Sequence, residues 1–431
     1  MNRNTICHFS SLFALVALPL VPVTVSGQMS GQDRERAFTM LEQVRKDIEK
    51  NYYDPGFNGL DLAAEYETAR RKIGEVSHIT EAFGAIAQFV GSLEDSHTVF
   101  VPPGRTRQVH YGFSMGFVGD TCFVTDVKED SYAEGAGLKP GDALINIGPF
   151  RLDRASFPLL AYMLYLLSPQ SQLDLFVRRP NGEIGPLTVV ADVEKLPVNL
   201  DLSNPHIVRF LRERVEEEVH VYVETRDGVL LWKMPSFDVG TGLVDDMIKR
   251  ARKGRALVID MRGNPGGRVK ALHRLIAGLF EDSIPVSHMR TREAEEEVVI
   301  EPRKNPFLGD LVLLVNSESA SASEILARTV QIAKRGVVIG DRTAGAVMTS
   351  RAFAHDVGFG RSWKYAVVVS ISDYIMADGK SLENVGVVPD EIVLPSGLDL
   401  REGRDPALSR ALELVGIVVD PAVAARVFER K

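Results

Sequence analysis

The amino-acid sequence predicts an α/β protein in which a helical segment and a β-rich segment precede a core of alternating strands and helices. Near the N-terminus, apolar residues recur at helical spacing, as at Ala37, Leu41, Val44 and Ile48. The middle of the chain has short β-type runs separated by turns that contain glycine and proline. Beyond residue 229, apolar strands alternate with amphipathic helices, which is the pattern of a mostly parallel sheet covered by helices.

Helices and strands can be predicted in order for the N-terminal segment and for the core. Three amphipathic helices are predicted near the N-terminus, at 33–52, 62–73 and 80–93. The last part opens with a hairpin around the turn Arg226–Gly228. Strands are then predicted at 256–260, 311–316, 337–340, 363–371 and 392–394, with helices at 242–252, 270–279 and 323–334.

The β-rich segment, over roughly 111–193, resembles a PDZ domain. Its most distinctive feature is the turn Ala136–Asp142, with the sequence A-G-L-K-P-G-D. A strand at 143–147, an apolar helix at 157–167 and a strand at 173–178 follow it in the expected order.

The PDZ resemblance implies a binding loop for peptides. The residues in the place of the loop that receives a peptide carboxylate are Tyr111, Gly112, Phe113 and Ser114. Such a loop works by β-augmentation, in which an extended peptide tail joins the sheet as an additional strand. The alternative is that the glycines serve only as turn residues.

The N-terminus has the pattern of an export signal. Arg3 is followed by an apolar run, Leu12–Val25, and by small residues at Val25–Gly27. The run is shorter than the ~20 residues that a membrane span needs. We therefore expect a signal peptide at 1–27 and an exported protein, periplasmic or secreted by a bacterium, without stable membrane insertion; an uncleaved anchor is the alternative.

Composition excludes several classes of function. The chain has 431 residues and a formal net charge of −8, which disfavours nucleic acid as a partner. Of the two cysteines, Cys7 lies in the predicted signal, and Cys122 is interpreted as a buried small hydrophobic residue rather than a nucleophile. No Cys/His cluster has the spacing of metal ligands, so neither a metal nor another cofactor is expected.

A serine-rich turn is the strongest local signal for chemistry. The run Asn316–Leu326, N-S-E-S-A-S-A-S-E-I-L, follows an apolar strand and opens a helix. A nucleophile at such a turn is exposed next to free helix N–H groups, which can stabilise an oxyanion. The alternative is helix capping, because Ser319, Ser321 and Ser323 are all good capping residues.

A glycine-rich turn is the second signal. The strand and turn Val258–Gly267, V-I-D-M-R-G-N-P-G-G, also open a helix. Glycines let backbone N–H groups approach a ligand closely. Phosphate binding is an alternative, although no Walker lysine pattern follows the turn.

Together these two turns resemble the tail-specific, or C-terminal-processing, serine protease superfamily, peptidase family S41. Thr343–Gly345 and the run Leu382–Asp390 match its later signatures, and the resemblance covers roughly 36–395. It implies a protease core of the crotonase/ClpP type with an inserted PDZ-like domain. It also implies that Ser321 is the nucleophile and that the oxyanion is held by the backbone N–H of Ala322 with that of Gly266 or Gly267.

The general base differs from that of many superfamily members. Those members use a lysine after the glycine of a T-x-G-K stretch, but Ala346 stands there, and Lys364 and Lys380 do not match the motif. The resemblance is therefore to the tricorn-like and retinoid-binding-protein-like branch, in which a histidine acts as base.

In that branch, His97 in L-E-D-S-H-T matches the base and Glu383 matches the carboxylate that orients it. The alternatives are a structural loop histidine at His97 and a solvated surface carboxylate at Glu383. His110 and His355 are lesser candidates for the base.

The sequence thus predicts a serine endopeptidase that acts on exported or unfolded proteins. The expected organisation is a signal peptide (1–27), an N-terminal helical segment (28–108), a PDZ domain (109–198), the protease core (199–395) and a C-terminal helical tail (396–431). The main alternative is a catalytically inactive protein that binds peptides or hydrophobic ligands or acts as a scaffold. An enoyl-CoA-hydratase-like enzyme is a third possibility that rests on fold analogy alone. The partners expected are protein or peptide substrates, and the sequence defines no oligomeric state.

Overall fold

The structure is a computed structural model that describes residues 28–104, 107–195, 220–358 and 362–429. The predicted signal peptide at 1–27 lies outside the described residues. Within the described ranges, no helix combines the length and the apolar character that crossing a membrane requires.

Three amphipathic helices form the N-terminal segment, as the sequence predicts. They are α1 (Gly31–Asn51), α2 (Leu62–Glu75) and α3 (Ile79–Gly91). The side chains of Ser30 and Asp61 cap the first two helices by accepting a backbone N–H from the first turn. The apolar stripes of the three helices pack together and against the core sheet described below, so this segment shares a hydrophobic core with the rest of the protein.

The β-rich segment is built around an antiparallel sheet. The strands of the segment, preceded by β1 (Val99–Val101), are β2 (Arg107–His110), β3 (Phe113–Val118), β4 (Thr121–Val127), β5 (Ala143–Ile147), β6 (Phe150–Arg151), β7 (Gln172–Arg178), β8 (Ile184–Val190) and β9 (Asp192–Lys195). The sheet order is β3-β4-β5-β7-β8, with β6 beside β5, and β2 pairs separately with β9. Two short helices, α4 (Tyr132–Gly135) and α5 (Phe157–Tyr162), accompany the sheet, and a single π turn (Met163–Leu167) extends α5. Strand β3 therefore lies at an edge of the sheet.

The remaining strands form two further sheets. They are β10 (Val221–Glu224), β11 (Val229–Lys233), β12 (Ala256–Asp260), β13 (Ile284–Thr291), β14 (Glu295–Ile300), β15 (Asp310–Val315), β16 (Val337–Gly340), β17 (Met348–Val357), β18 (Trp363–Met376) and β19 (Glu391–Ile392). One sheet has the order β10-β11-β12-β15-β16-β19 and is parallel from β11 onwards. The other has the order β1-β18-β13-β14, with β17 on the free side of β18. The predicted α/β class is confirmed.

Helices cover both faces of the parallel sheet. The helices of the core and the tail are α6 (Thr241–Ala251), α7 (Val269–Leu279), α8 (Ala322–Ile332), α9 (Gly397–Glu402), α10 (Pro406–Leu414) and α11 (Pro421–Ala424). Helices α6, α7 and α8 pack on one face, and α10 and α11 pack on the other. Burial on both faces explains why every residue of β12 is buried and why strands of this sheet read as continuous apolar runs.

The N-terminal segment is less separate from the core than its predicted boundary at residue 108 suggests. Strand β1, at the end of that segment, pairs antiparallel with Ala366–Val368 of β18. The pairing buries Phe100 and Val101 completely. Apolar residues just after His97 therefore fix the position of the histidine loop relative to the core.

A buried carboxylate joins the β-rich sheet to the C-terminal tail. Asp142, the last residue of the A-G-L-K-P-G-D turn, is fully buried and pairs with Arg179 of the following β-hairpin and with Arg401 of α9. The backbone of Gly141 is so close to Gly397 that a Cβ atom on Gly141 would lie 2.0 Å from the Gly397 carbonyl oxygen. The tail thus fixes the β-rich segment against the core.

We expect Asp142→Asn to lower the free energy of unfolding by about 3 kcal/mol, because two guanidinium groups lose their shared counter-ion. Urea denaturation followed by circular dichroism measures the difference. Asp130→Asn is the control: Asp130 is exposed and has a φ of 58°, which asparagine tolerates, so stability should be unchanged. Equal stability of both variants would contradict the role of the buried pair.

Candidate active site

The serine-rich turn lies at the end of a buried strand. Strand β15 ends at Val315, and α8 begins at Ala322. The hydroxyl groups of Ser319 and Ser323 donate to the carbonyl oxygens of Met261 and Asn264, at 2.8 and 3.1 Å. Both side chains are fully buried. These two serines therefore attach the serine turn to the glycine turn rather than face solvent.

Ser321 differs from its two neighbours. It is only partly buried, and its backbone has a φ of 54° and a ψ of −116°. This conformation is costly for a residue with a Cβ atom, and such strain typically persists at functional sites where the surrounding structure enforces it.

The glycine turn packs directly against Ser321. A Cβ atom on Gly266, whose φ is +96°, would lie 2.7 Å from the Ser321 Cβ and 3.1 Å from the Ala322 nitrogen. Only glycine fits in that space. The strained serine conformation is thus accommodated by the absence of a side chain on the facing strand-to-helix turn.

The two turns leave particular amide groups available. The Gly266 N–H donates to Asn264 Oδ1 at 2.8 Å, and the Ser321 N–H donates to the Ala346 carbonyl and to Glu324. The amides of Gly267 and Ala322, by contrast, donate to no other described residue. Of the two glycines considered from the sequence, Gly267 is the one with a free donor next to the first N–H of α8.

The loop that carries His97 is fixed by a carboxylate, Asp95, that is not among the site residues predicted from the sequence. Asp95 Oδ1 accepts the backbone N–H groups of His97 and Thr98, at 2.9 and 2.6 Å, and the hydroxyl of Ser370 on β18, at 2.7 Å. Asp95 therefore connects the backbone of the histidine loop to the core sheet.

A serine stands between His97 and Glu383. Ser96 Oγ lies 2.6 Å from His97 Nδ1 and donates to Glu383 Oε2 at 3.0 Å. The Ser96 N–H donates to Glu383 Oε1 at 2.7 Å, and the Val347 N–H donates to Oε2 at 2.8 Å. Glu383 thus reaches the imidazole through the Ser96 hydroxyl. The only sequence signal for this role of Ser96 is that a hydroxyl residue stands directly before the candidate base.

Burial shifts the titration of both groups. Burial raises the pKa of Glu383 to about 7, although the N–H groups of Val347 and Ser96 and the Ser96 hydroxyl oppose that shift. Burial lowers the pKa of His97, and the nearby Asp95 carboxylate opposes it. Near neutral pH, the imidazole is therefore neutral and can accept a proton.

Ala346 and Val347 connect the two halves of the site. The Ala346 carbonyl accepts the Ser321 N–H at 2.9 Å, and the next amide, that of Val347, holds Glu383. Among the described residues, no hydrogen bond joins the Ser321 hydroxyl to the His97 ring directly. The Ala346–Val347 peptide thus links the backbone of Ser321 to Glu383, and Glu383 in turn reaches His97 through Ser96.

The lesser candidates for the base have other partners. His355 Nε2 lies 2.6 Å from a carboxylate oxygen of Asp47 on α1, and His110 lies 3.7 Å from Glu194 on the neighbouring strand. Within the described ranges, no group of His, Cys, Asp and Glu side chains could hold a metal ion. Cys122 is buried, and burial raises the pKa of its thiol to about 12, so it is not a nucleophile.

The four residues considered for peptide binding lie at the start of edge strand β3. Tyr111 is buried, and its hydroxyl accepts the Gln170 N–H at 2.9 Å. The Gly112 carbonyl accepts the Lys128 N–H at 2.9 Å. Phe113 and Ser114 are the first two residues of β3 itself. A contribution from Tyr111 is therefore limited to its main chain.

The fold and the two facing turns define a chain with the architecture of a serine peptidase. Residues 229–393 match the sequence profile of Peptidase family S41. This match assigns residues 229–393, and with them both turns, Ser321 and Glu383, to an S41 peptidase region.

Known proteins agree with this assignment. The chain is 31% identical to the tail-specific protease of Haemophilus influenzae over 333 residues, which cover 72% of this chain and 45% of that protein. It is 25% identical to carboxyl-terminal-processing peptidase 1 of Arabidopsis thaliana over 339 residues, covering 75% and 65%. Among solved structures, mature CPAF in complex with lactacystin has the same fold, with a TM-score of 0.64 at 15% identity, covering 93% of this chain and 100% of that one. The chain thus spans less than two thirds of the length of these two curated relatives.

We expect Gly266→Ala to disrupt the serine turn. The new methyl group would collide with Ser321, and the backbone would also be strained, so the free energy of unfolding should fall by about 3 kcal/mol. Gly379→Ala is the matched control: its φ is +79°, but nothing lies within 4 Å of the added Cβ, so only the conformational cost of about 1 kcal/mol remains. Thermal unfolding of both variants measures the difference; equal losses would show that the contact with Ser321 is not tight.

Proposed function

We propose that this protein is a serine endopeptidase that hydrolyses peptide bonds through an acyl-enzyme. The observation that carries the proposal is the hydrogen-bonded chain Glu383–Ser96–His97 next to the strained Ser321 turn. A serine hydroxyl needs a base to remove its proton, and a neutral histidine with a fixed tautomer is suited to that task.

The hydrogen-bond directions support one tautomer of His97. Because the Ser96 hydroxyl donates its proton to Glu383, its oxygen accepts from His97, and the proton of the imidazole is on Nδ1. Nε2 is then free to take the proton of Ser321 as the hydroxyl oxygen attacks the carbonyl carbon of the substrate. The same proton passes from Nε2 to the leaving amine when the peptide bond breaks. Water repeats the two steps to release the acyl group.

The negative charge that develops on the carbonyl oxygen requires donors. The free N–H groups of Ala322 and Gly267 meet that requirement, and the positive end of α8 adds to it. Because Ser321 donates its own N–H to Glu324 and Ala346, the oxyanion hole uses the residue after the nucleophile.

The β-rich segment is proposed to act as a PDZ domain that binds peptide tails. Its edge strand β3 touches the serine turn, because the Ser317 hydroxyl donates to the Phe117 carbonyl at 2.5 Å. A peptide that pairs with β3 by β-augmentation would lie next to the segment that leads to Ser321. The predicted signal peptide supports an exported protein, so the substrates proposed are exported or unfolded proteins.

The alternative function is that of a non-catalytic binding protein. It is favoured by Ala346, which replaces the lysine that many relatives use as base. A fluorophosphonate probe separates the two, since covalent labelling of Ser321 requires an activated hydroxyl.

Replacement of the nucleophile tests the proposal most directly. We expect Ser321→Ala to abolish hydrolysis of an unstructured protein and labelling by the fluorophosphonate probe, with a loss of at least about 1,000-fold. Ser317→Ala is a suitable control for the serine-rich turn, and it should still be labelled. Undiminished hydrolysis by the purified Ser321→Ala variant would refute the proposal.

The pH dependence should reflect Glu383. The ionised carboxylate accepts the Ser96 hydroxyl, so activity should rise with pH through about 7, where the raised pKa of Glu383 lies. We expect Glu383→Gln to be less active and its acidic limb to move to lower pH, where His97, whose pKa is lowered, titrates instead. The pH profile of kcat/KM measures this. If the acidic limb of the Glu383→Gln profile lies at the same pH as that of the parent protein, the limb belongs to another group.

A further inference from the structure

A second carboxylate lies directly behind the nucleophile. Glu324, in the first turn of α8, is fully buried and has no cationic partner among the described residues. Burial raises the pKa of Glu324, while its hydrogen bonds oppose the shift. A buried carboxylate without a counter-ion is costly unless donors satisfy it.

Four donors satisfy this carboxylate. Oε1 accepts the Thr343 hydroxyl at 2.5 Å and the Gly345 N–H at 2.8 Å. Oε2 accepts the Ala346 N–H at 2.9 Å and the Ser321 N–H at 3.0 Å. One side chain therefore holds the backbone of the nucleophile and the segment Thr343–Ala346 at a fixed separation.

Thr343 extends this connection to the segment that carries Glu383. The Thr343 hydroxyl oxygen accepts the Val387 N–H at 2.6 Å, and its proton goes to Glu324. The Gly345 carbonyl accepts the Asn384 N–H at 2.7 Å. The three segments that supply Ser321, the Val347 amide and Glu383 thus meet at the pair formed by Glu324 and Thr343.

We propose that Glu324 and Thr343 form a positioning unit, which sets the distance between Ser321 and the chain Glu383–Ser96–His97. This inference rests on the proposed peptidase function. Neither residue touches the substrate. Their contribution is to hold Ser321 in its strained conformation and to keep the Ala346 and Val347 amides in register, the first on Glu324 and the second on Glu383. A misplacement of about 1 Å between reacting groups can cost 100-fold in rate.

Glu324→Gln is the first test. A carboxylate can accept all four donors, but an amide has a single oxygen, so in either orientation at least one backbone N–H faces an NH₂ group. We expect kcat to fall about 100-fold, with KM unchanged, on a fluorescence-quenched peptide that the parent protein cleaves. The rate of labelling by the fluorophosphonate probe should fall by the same factor. Values of kcat and labelling within threefold of the parent protein would overturn the proposal.

Thr343 provides a second test, in which the size of the side chain is preserved. Thr343→Val removes the hydroxyl but keeps the shape, whereas Thr343→Ser keeps the hydroxyl. We expect Thr343→Val to lower kcat at least tenfold without a change in KM, and Thr343→Ser to retain most of it. If valine and serine at position 343 give the same kcat, the hydroxyl does not position the site.

Asp142→Asn is the control for a loss of stability alone, since Asp142 is an equally buried carboxylate in the β-rich segment. It should unfold more easily but keep the kcat of the parent on the short peptide. A fall in kcat for Asp142→Asn as large as that for Glu324→Gln would show that instability accounts for both. Loss of activity in Ser321→Ala together with normal kcat in Glu324→Gln would refute the positioning unit and leave the peptidase function in place.

Discussion

The contact between Gly266 and Ser321 is the constraint on which the site depends. Two strand-to-helix turns, one after β12 and one after β15, approach so closely that one of them can have no side chain there. Ser319 and Ser323 bind the glycine turn through their hydroxyls, which keeps the two turns together. Adjacent parallel strands make this possible, because their carboxyl ends lie at the same edge of the sheet. The strain at Ser321 is thus enforced by the packing of the whole sheet.

Three carboxylates hold the segments of the site, and in each case backbone N–H groups supply part of the stabilisation. Asp95 accepts from the histidine loop, Glu324 from the nucleophile turn and Glu383 from Ser96 and Val347. No arginine or lysine pairs with these three carboxylates among the described contacts. Carboxylates held by fixed amide dipoles, rather than by flexible cations, keep a precise geometry. Because no cation is paired with Glu383 among the described contacts, burial can raise the pKa of this carboxyl group.

The sequence predicts the scaffold better than the connections within the site. Periodicity was sufficient for the helices at 31–51 and 62–75 and for the parallel core, because their apolar residues face one side or both. Strand β18 extends to Met376, beyond the predicted end at 371. The prediction ended too early because the buried polar residues Ser372 and Asp373 interrupt the apolar pattern of the strand. Ser96 and Glu324 could not be assigned from local patterns, since their roles depend on partners far away in the chain, such as Glu383 and Thr343.

The pairing of β1 with β18 bears on what counts as the smallest working unit of this protein. Residues 229–393, which match the peptidase family, include Ser321 and Glu383 but not His97, Ser96 or Asp95. An isolated fragment of that range would also lack the strand that covers Ala366–Val368, so it would expose the backbone of a long apolar strand to other chains. The helices before the β-rich segment are therefore an integral part of the core. A fragment limited to the residues that match the peptidase family would not be a complete folding unit.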